Sequence, residues 1–223
     1  PAAGGDFRKI PAPDGIKSHP AFSPDGKWIA YVGVEGINLG YKNESLWVVP
    51  ADGSGAPRNL TEQFDFMVSP WTINDMGEPE QMLPTWTPDS SALYFQVVYH
   101  GSTVLYRIDR DGQNLTQVIG EGGVVSSFTF DRDHKRLAYF YGKLDNPGQV
   151  YVRDLTDGQP RRLTSVNDDL LSGVDLGQIE EVWFKGPDGN DLQGWIMKPP
   201  GFDPSKKYPS IMEIHGGPIT QYG

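Results

Sequence analysis

One short cassette occurs three times and constrains the fold more than any other feature. Residues 21–31 read A-F-S-P-D-G-K-W-I-A-Y, residues 85–95 read T-W-T-P-D-S-S-A-L-Y-F, and residues 129–139 read T-F-D-R-D-H-K-R-L-A-Y. Each copy runs from an aromatic residue through a tight polar turn into an apolar strand. Proline presets the turn and Asp or Ser caps it, so each copy predicts a β-hairpin. A second matching segment follows each copy: L-W-V-V-P-A-D-G at 46–53, L-Y-R-I-D-R-D-G at 105–112, and V-Y-V-R-D-L-T-D-G at 150–158, with one extra residue. A third match follows in Asn59-Leu60-Thr61, Asn114-Leu115-Thr116 and Arg162-Leu163-Thr164. The units hold about four strands and recur at roughly 40–45 residues, the spacing of propeller blades. A blade cannot bury both of its faces alone, so neighbours are required. About three blades are readable, and closed propellers have at least about four. The ring is therefore expected to be incomplete on the N-terminal side.

The turn aspartates of the first two copies, Asp25 and Asp89, are 64 residues apart, whereas Asp89 and Asp133 are 44 apart. The excess sits in an insertion at residues 62–80, which carries Phe64, Phe66, Met67, Trp71 and Met76. Loops of that length are often functional. Phe64, Phe66 and Trp71 are candidates for the wall of a substrate pocket; the alternative is that these aromatics pack on the blade edge. No apolar stripe of helical period spans a full window, so the propeller part is expected to be almost wholly β. Residues 1–15, rich in Pro, Gly and Ala, read either as a connecting arm from an earlier repeat or as a disordered end.

Composition excludes some function classes. With 29 acidic and 19 basic residues the chain carries a net charge of −10, which disfavours nucleic acid or an anionic membrane surface as partner. There is no cysteine, so disulfides, thiolate catalysis and zinc–thiolate sites are ruled out. This fits a reducing compartment, and a cytoplasmic location is the expectation, although an exported protein can equally lack cysteine. No apolar run approaches the length of about 18 residues that a membrane span needs.

Past the repeats, residues 166–177 read as an exit linker. Residues 179–185 (I-E-E-V-W-F-K) and 192–198 (L-Q-G-W-I-M-K) read as two strands around a Gly186-Pro187-Asp188-Gly189 turn. Ile211, Met212 and Ile214 make a further apolar run, read as a third strand over 210–214. It stops at His215-Gly216-Gly217-Pro218. Two glycines let a ligand approach the main chain closely. A strand ending in an H-G-G turn is the local pattern of an oxyanion-hole loop in α/β-hydrolases, where backbone N–H groups face the developing negative charge. Pro218 has no N–H, so the donor falls on Gly216 or Gly217.

The ending H-G-G-P-I-T-Q-Y-G at 215–223, the lead-in from Ile179 to Pro200 and the repeats before them resemble the middle of a serine peptidase of the prolyl oligopeptidase family, in its branch of acylaminoacyl-peptidases and dipeptidyl aminopeptidases. The resemblance implies a mainly β chain: propeller blades over residues 1–178, then the opening strands of an α/β-hydrolase sheet over residues 179–223. It implies a peptidase that cuts short peptides near their N-terminus through an acyl-enzyme, with the propeller gating access. It assigns Gly217 the oxyanion donor and His215 the orientation of the loop, and it implies no metal or organic cofactor. The catalytic serine, aspartate and histidine would lie after Gly223. No serine here sits on a G-x-S-x-G elbow; the nearest pattern, Gly53-Ser54-Gly55, has the wrong spacing. The chain alone is expected to be inactive. Short peptides are the implied substrates, and the rest of the catalytic domain, on the same polypeptide or a second chain, is the implied partner. Self-association into a homo-oligomer is left open. The rival reading is a non-catalytic propeller module that binds peptide or protein.

Other polar clusters read as structural. His19, His100 and His134 lack partners at metal-ligand spacing. Glu180 and Glu181 are adjacent on a strand and so point to opposite faces. Asp109-Arg110-Asp111-Gly112 opens like a calcium loop, but the position that needs Glu is Gly120.

Overall fold

A computed structural model describes residues 4–5, 7–36, 41–73, 80–120, 122–156, 158–216 and 220–223. Four strands form the first sheet: β1 (Lys17–Phe22), β2 (Trp28–Gly33), β3 (Ser45–Pro50) and β4 (Arg58–Asn59), each antiparallel to the next. A short strand, β5 (Thr72–Ile73), lies in the insertion. The second blade is β6 (Thr85–Trp86), β7 (Ala92–Tyr99), β8 (Ser102–Asp109) and β9 (Thr116–Ile119). The third is β10 (Val124–Phe130), β11 (Arg136–Lys143), β12 (Asn146–Asp154) and β13 (Arg161–Arg162). The three cassettes therefore become the first hairpins of three four-stranded meanders, as the repeat pattern predicts. A parallel bridge between Val124 and Thr103 ties the third blade to the second.

The three cassette turns use the same hydrogen bonds with different residues. Gly26 N–H donates to Ser23 O (2.8 Å), Ser90 N–H to Thr87 O (2.9 Å) and His134 N–H to Asp131 O (3.1 Å). The last residue of each turn lies in the left-handed region, with φ of 70° at Gly26, 61° at Ser90 and 52° at His134. In the first two turns the hydroxyl of Ser23 or Thr87 donates to Asp25 or Asp89 (2.6 Å in both). In the third, which lacks proline, Asp131 itself accepts from the Lys135 and Arg136 N–H groups. The second segment turns in the same way, Gly53 N–H donating to Pro50 O and Gly112 N–H to Asp109 O. The calcium-like run is thus a hairpin turn, with Asp111 accepting from Gln113 N–H at 3.0 Å.

These turns make a pH-dependent contribution to stability. The Thr87 and Ser91 hydroxyls and the Ser91 N–H hold the Asp89 carboxyl down at about 2, against an ordinary value of 3.8. A carboxyl depressed in the folded state contributes stability above its unfolded value and loses it as pH falls toward the folded one. Asp89→Asn is therefore expected to lower the thermal midpoint above about pH 4, with the gap to wild type closing toward about pH 2. A gap independent of pH would contradict this.

The core lies between blades. Leu93, Phe95 and Val97 of β7 face the first blade and pack with Ala30, Val32, Leu46 and Val48. Tyr94, one residue out of phase, faces the third blade and packs with Val125, Phe128 and Leu137. This period-2 division of one strand between two cores explains its continuous apolar run: both faces are buried. Arg110 clamps the first two blades, with its guanidinium 4.9 Å from the Trp28 ring and Nη1 donating to Ser90 O at 3.0 Å.

After β13 come a one-turn helix, α1 (Asp168–Leu171), and a hairpin of β14 (Gln178–Lys185) and β15 (Asp191–Lys198). The final strand, β16 (Gln221–Tyr222), pairs in parallel with β5. One expectation fails here. Residues 210–214 form no strand, and Ile211, Met212 and Ile214 are almost fully exposed. An isolated apolar segment cannot satisfy its own backbone N–H and C=O groups as a strand; it needs a neighbouring strand. Among the described residues none lies alongside it. No helix of the described residues is long and apolar enough to cross a membrane.

Candidate active-site face

The two ends of the blades differ. In a meander, alternate turns fall at opposite ends of the strands. The first and third turns of each blade lie together at one end and are bonded to each other. Ala51 N–H donates to Lys27 O, Arg110 N–H to Ser91 O and Leu155 N–H to Lys135 O, each at 2.8 Å. The opposite end carries the β7–β8 turn and the connections between blades, including the described part of the insertion at 62–73. There Thr103 N–H donates to Gly123 O (3.2 Å) and Gly122 N–H to Ser102 Oγ (3.0 Å). This second end meets the C-terminal part of the chain.

Two segments converge on the β7–β8 turn. The Trp195 ring of β15 lies against Gly101, and Gln193 Nε2 donates to His100 O at 3.0 Å. The His100 ring stands edge-on to Trp183 of β14, with centroids 5.0 Å apart. From the C-terminus, Gln221 reaches the same turn: its Oε1 accepts from Gly101 N–H at 2.8 Å, and its Nε2 donates to Ser102 O (2.9 Å) and Thr72 Oγ1 (3.0 Å). Gln221 N–H donates to Trp71 O at 3.2 Å. Thr72 Oγ1 and Thr103 Oγ1 are 2.7 Å apart in a buried hydroxyl pair. Thr72, Ser102, Thr103, Gln221 and Gly101 are residues that motif reading missed. Their only signals were the Q-Y-G that closes the motif and the glycine after His100.

The residues singled out in the sequence are distributed as follows. His215 and Gly216 are exposed; His215 Nδ1 lies 2.9 Å from Gly216 O, and its ring stands edge-on to Tyr222 at 5.1 Å. Thr220 Oγ1 donates to Gly216 O at 3.3 Å. Gly217 lies outside the described residues, as does Met76. Of the insertion aromatics, Phe64 and Phe66 are partly buried against the core between the first two blades. Phe66 stacks on Phe64 at 5.3 Å and on Tyr106 at 5.6 Å. Trp71 is about half exposed and its carbonyl accepts from Gln221 N–H, which places it beside the C-terminal segment. Among the described residues no group of three or more His, Cys, Asp or Glu side chains is placed to hold a metal ion.

The hairpin presents uncovered apolar surface. Trp183, Phe184, Ile196 and Met197 are about half exposed or more. Among the described residues, its two strands have only each other as ladder partner.

No family model matches the chain. It is 28% identical over 208 residues to dipeptidyl-peptidase 5 of Porphyromonas gingivalis, an overlap of 92% of this chain and 28% of that protein. It is 31% identical over 188 residues to the uncharacterized peptidase YuxL of Bacillus subtilis, covering 82% of this chain and 28% of that protein. The chain thus spans a little over a quarter of the length of the curated relatives it matches. Among solved structures, an acylaminoacyl peptidase in complex with Z-Gly-Gly-Phe-chloromethyl ketone shares its fold, with a TM-score of 0.65 and 22% identity over 89% of this chain and 27% of that one. The acylaminoacyl peptidase of Pyrococcus horikoshii matches with a TM-score of 0.57 and 20% identity over 78% of this chain and 24% of that one. Over the stretch they share, the chain is thus similar to part of two proteins named as peptidases and has the fold of the corresponding part of the acylaminoacyl peptidases.

Proposed function

We propose that this chain forms the propeller wall and the opening of the catalytic domain in a serine peptidase that hydrolyses short peptides near their N-terminus through an acyl-enzyme. The observation that carries this reading is the docking of the segment after His215 and Gly216 on the blade end that bears the insertion. A peptide held at that end would meet the H-G-G loop and the propeller at once. The N–H groups of Gly217 and Gly216 are the oxyanion donors in this reading, and they face the charge that develops on the scissile carbonyl oxygen. His215 orients the loop through Gly216 and takes no proton. Trp71 offers an exposed ring for the wall of the substrate pocket, while Phe64 and Phe66 hold the base of the insertion to the blades. The nucleophile, its aspartate and its histidine come from polypeptide outside these 223 residues, since no serine here has an elbow around it.

The test is labelling with a fluorophosphonate probe, read as mass on denatured polypeptides. The isolated chain is expected to stay unlabelled, and a peptidase assembled with the rest of its catalytic domain is expected to take up one label outside residues 1–223. Label on the isolated chain would mean that a nucleophile has been overlooked. An assembled protein that takes no label and cuts no peptide would favour the binding-module reading.

A further inference from the structure

Both polar atoms of the Gln221 carboxamide are hydrogen-bonded. Its oxygen accepts from Gly101 N–H, and its nitrogen donates to Ser102 O and to Thr72 Oγ1. The receptor is two adjacent backbone groups of opposite kind at a hairpin tip, plus one hydroxyl fixed by its contact with Thr103. Ser102, Thr72 and Thr103 are each almost completely buried. Water satisfies such groups at an open hairpin tip; here the C-terminal segment covers them, so the segment itself must supply their partners. A side chain that both accepts and donates fits this receptor. A carboxylate presents only acceptors and would set negative charge against Ser102 O.

We propose that Gln221 is a positioning residue, which fastens the segment carrying His215 and Gly216 to the second blade so that the propeller itself holds the H-G-G loop. The proposal rests on the peptidase reading above and adds a role for a residue that touches no reacting atom. The β5–β16 pairing sets the register of the segment, and the Gln221 side chain locks it to the turn. The insertion takes part through Thr72 and the Trp71 carbonyl, which gives it a part in placing the loop as well as in lining a pocket.

Amide hydrogen exchange at Gly101 tests the contact in the 223-residue chain. With Gln221→Ala, the Gly101 amide is expected to exchange at least tenfold faster than in wild type. Gln221→Glu is expected to behave like Gln221→Ala at neutral pH. Its exchange, taken as a ratio to wild type at each pH, is expected to recover as the carboxyl protonates and regains a donor. Leu163→Ala, an exposed site on the third blade, serves as the control and is expected to leave Gly101 unchanged. Equal exchange in wild type and Gln221→Ala would overturn the proposal. In the assembled peptidase, Gln221→Ala is expected to lower kcat about tenfold with KM little changed, as for an interaction realised in the transition state. Faster exchange with unchanged kcat would also overturn the positioning role. A wild-type enzyme that cuts no peptide would remove the peptidase reading, and the positioning role with it, while the exchange contrast at Gly101 persists. That pattern separates the two failures.

Discussion

Gln96→Met is expected to destabilise the chain by about 3 kcal/mol while changing side-chain volume little. Gln96 sits in the middle of β7 and is 4% exposed. Its side chain is on the face of β7 directed at the third blade, where β10 is irregular: the β10–β11 register shifts between Val125 and Phe128. The Gln96 amide bonds the main chain at this irregularity. Nε2 donates to Val125 O and to Ser126 O, both at 2.9 Å, while Oε1 accepts from Met82 N–H at 3.2 Å. Methionine removes all three bonds at once and leaves two carbonyls and an N–H without their partner. Each buried polar group stranded in this way costs about 1–3 kcal/mol, and Ser126 and Met82 are partly accessible, so the lower end applies to them. For a chain of this length about 3 kcal/mol corresponds to a fall of roughly 6–12 °C in Tm. Urea unfolding is the check: the midpoint should drop with the slope unchanged. A loss below about 1 kcal/mol would show that water replaces the amide.

Gly101→Ala is expected to undock the β14–β15 hairpin from the second blade. Gly101 has φ of 67°, a conformation that costs an L-residue about 1–2 kcal/mol. A methyl group there would also stand 2.2 Å from Trp195 Cζ2 and 2.4 Å from Cη2, far inside contact distance. The Trp195 ring must leave or the turn must move, a penalty of about 1–3 kcal/mol for overpacking. The sum of about 2–5 kcal/mol is large beside what holds one exposed hairpin in place. Trp195 fluorescence is expected to shift to the red, and protease cuts to appear near residues 172–178. A double-mutant cycle with Trp195→Ala isolates the clash: in that background Gly101→Ala should keep only the backbone cost. An additive cycle would mean that ring and glycine do not meet.

Both sites show why part of this protein was legible in the sequence and part was not. The blades were legible because their determinants are local. Asp89 reads as a cap because it bonds Thr87 and Ser91, two residues away on either side. The period-2 alternation of β7 divides its side chains between two cores whatever the neighbours turn out to be. The H-G-G-P motif stands out in the sequence for a similar reason, since glycine and proline bias the backbone locally, but Gly217 and Pro218 lie outside the described residues. The third strand over 210–214 was misread for the opposite reason. Its apolar residues are right for a strand, but pairing is a property of two segments and only one is present among the described residues.

Gln221, Gly101 and Thr72 lie 29 to 149 residues apart in pairs and become a site only because blade ends alternate. The sequence by itself determined the repeating hairpins, their turn chemistry and the likeness of the last residues to an oxyanion loop, all of which depend on contacts a few residues long. The tertiary structure alone decided that Phe66 is spent in a core while Trp71 stays at the surface, and that the insertion, the β7–β8 turn and the C-terminal segment share one end of the blades. Local sequence fixes which way a hairpin turns. Which turns end up side by side depends on how successive sheets stack, and that is set by the burial of faces contributed by residues from distant parts of the chain.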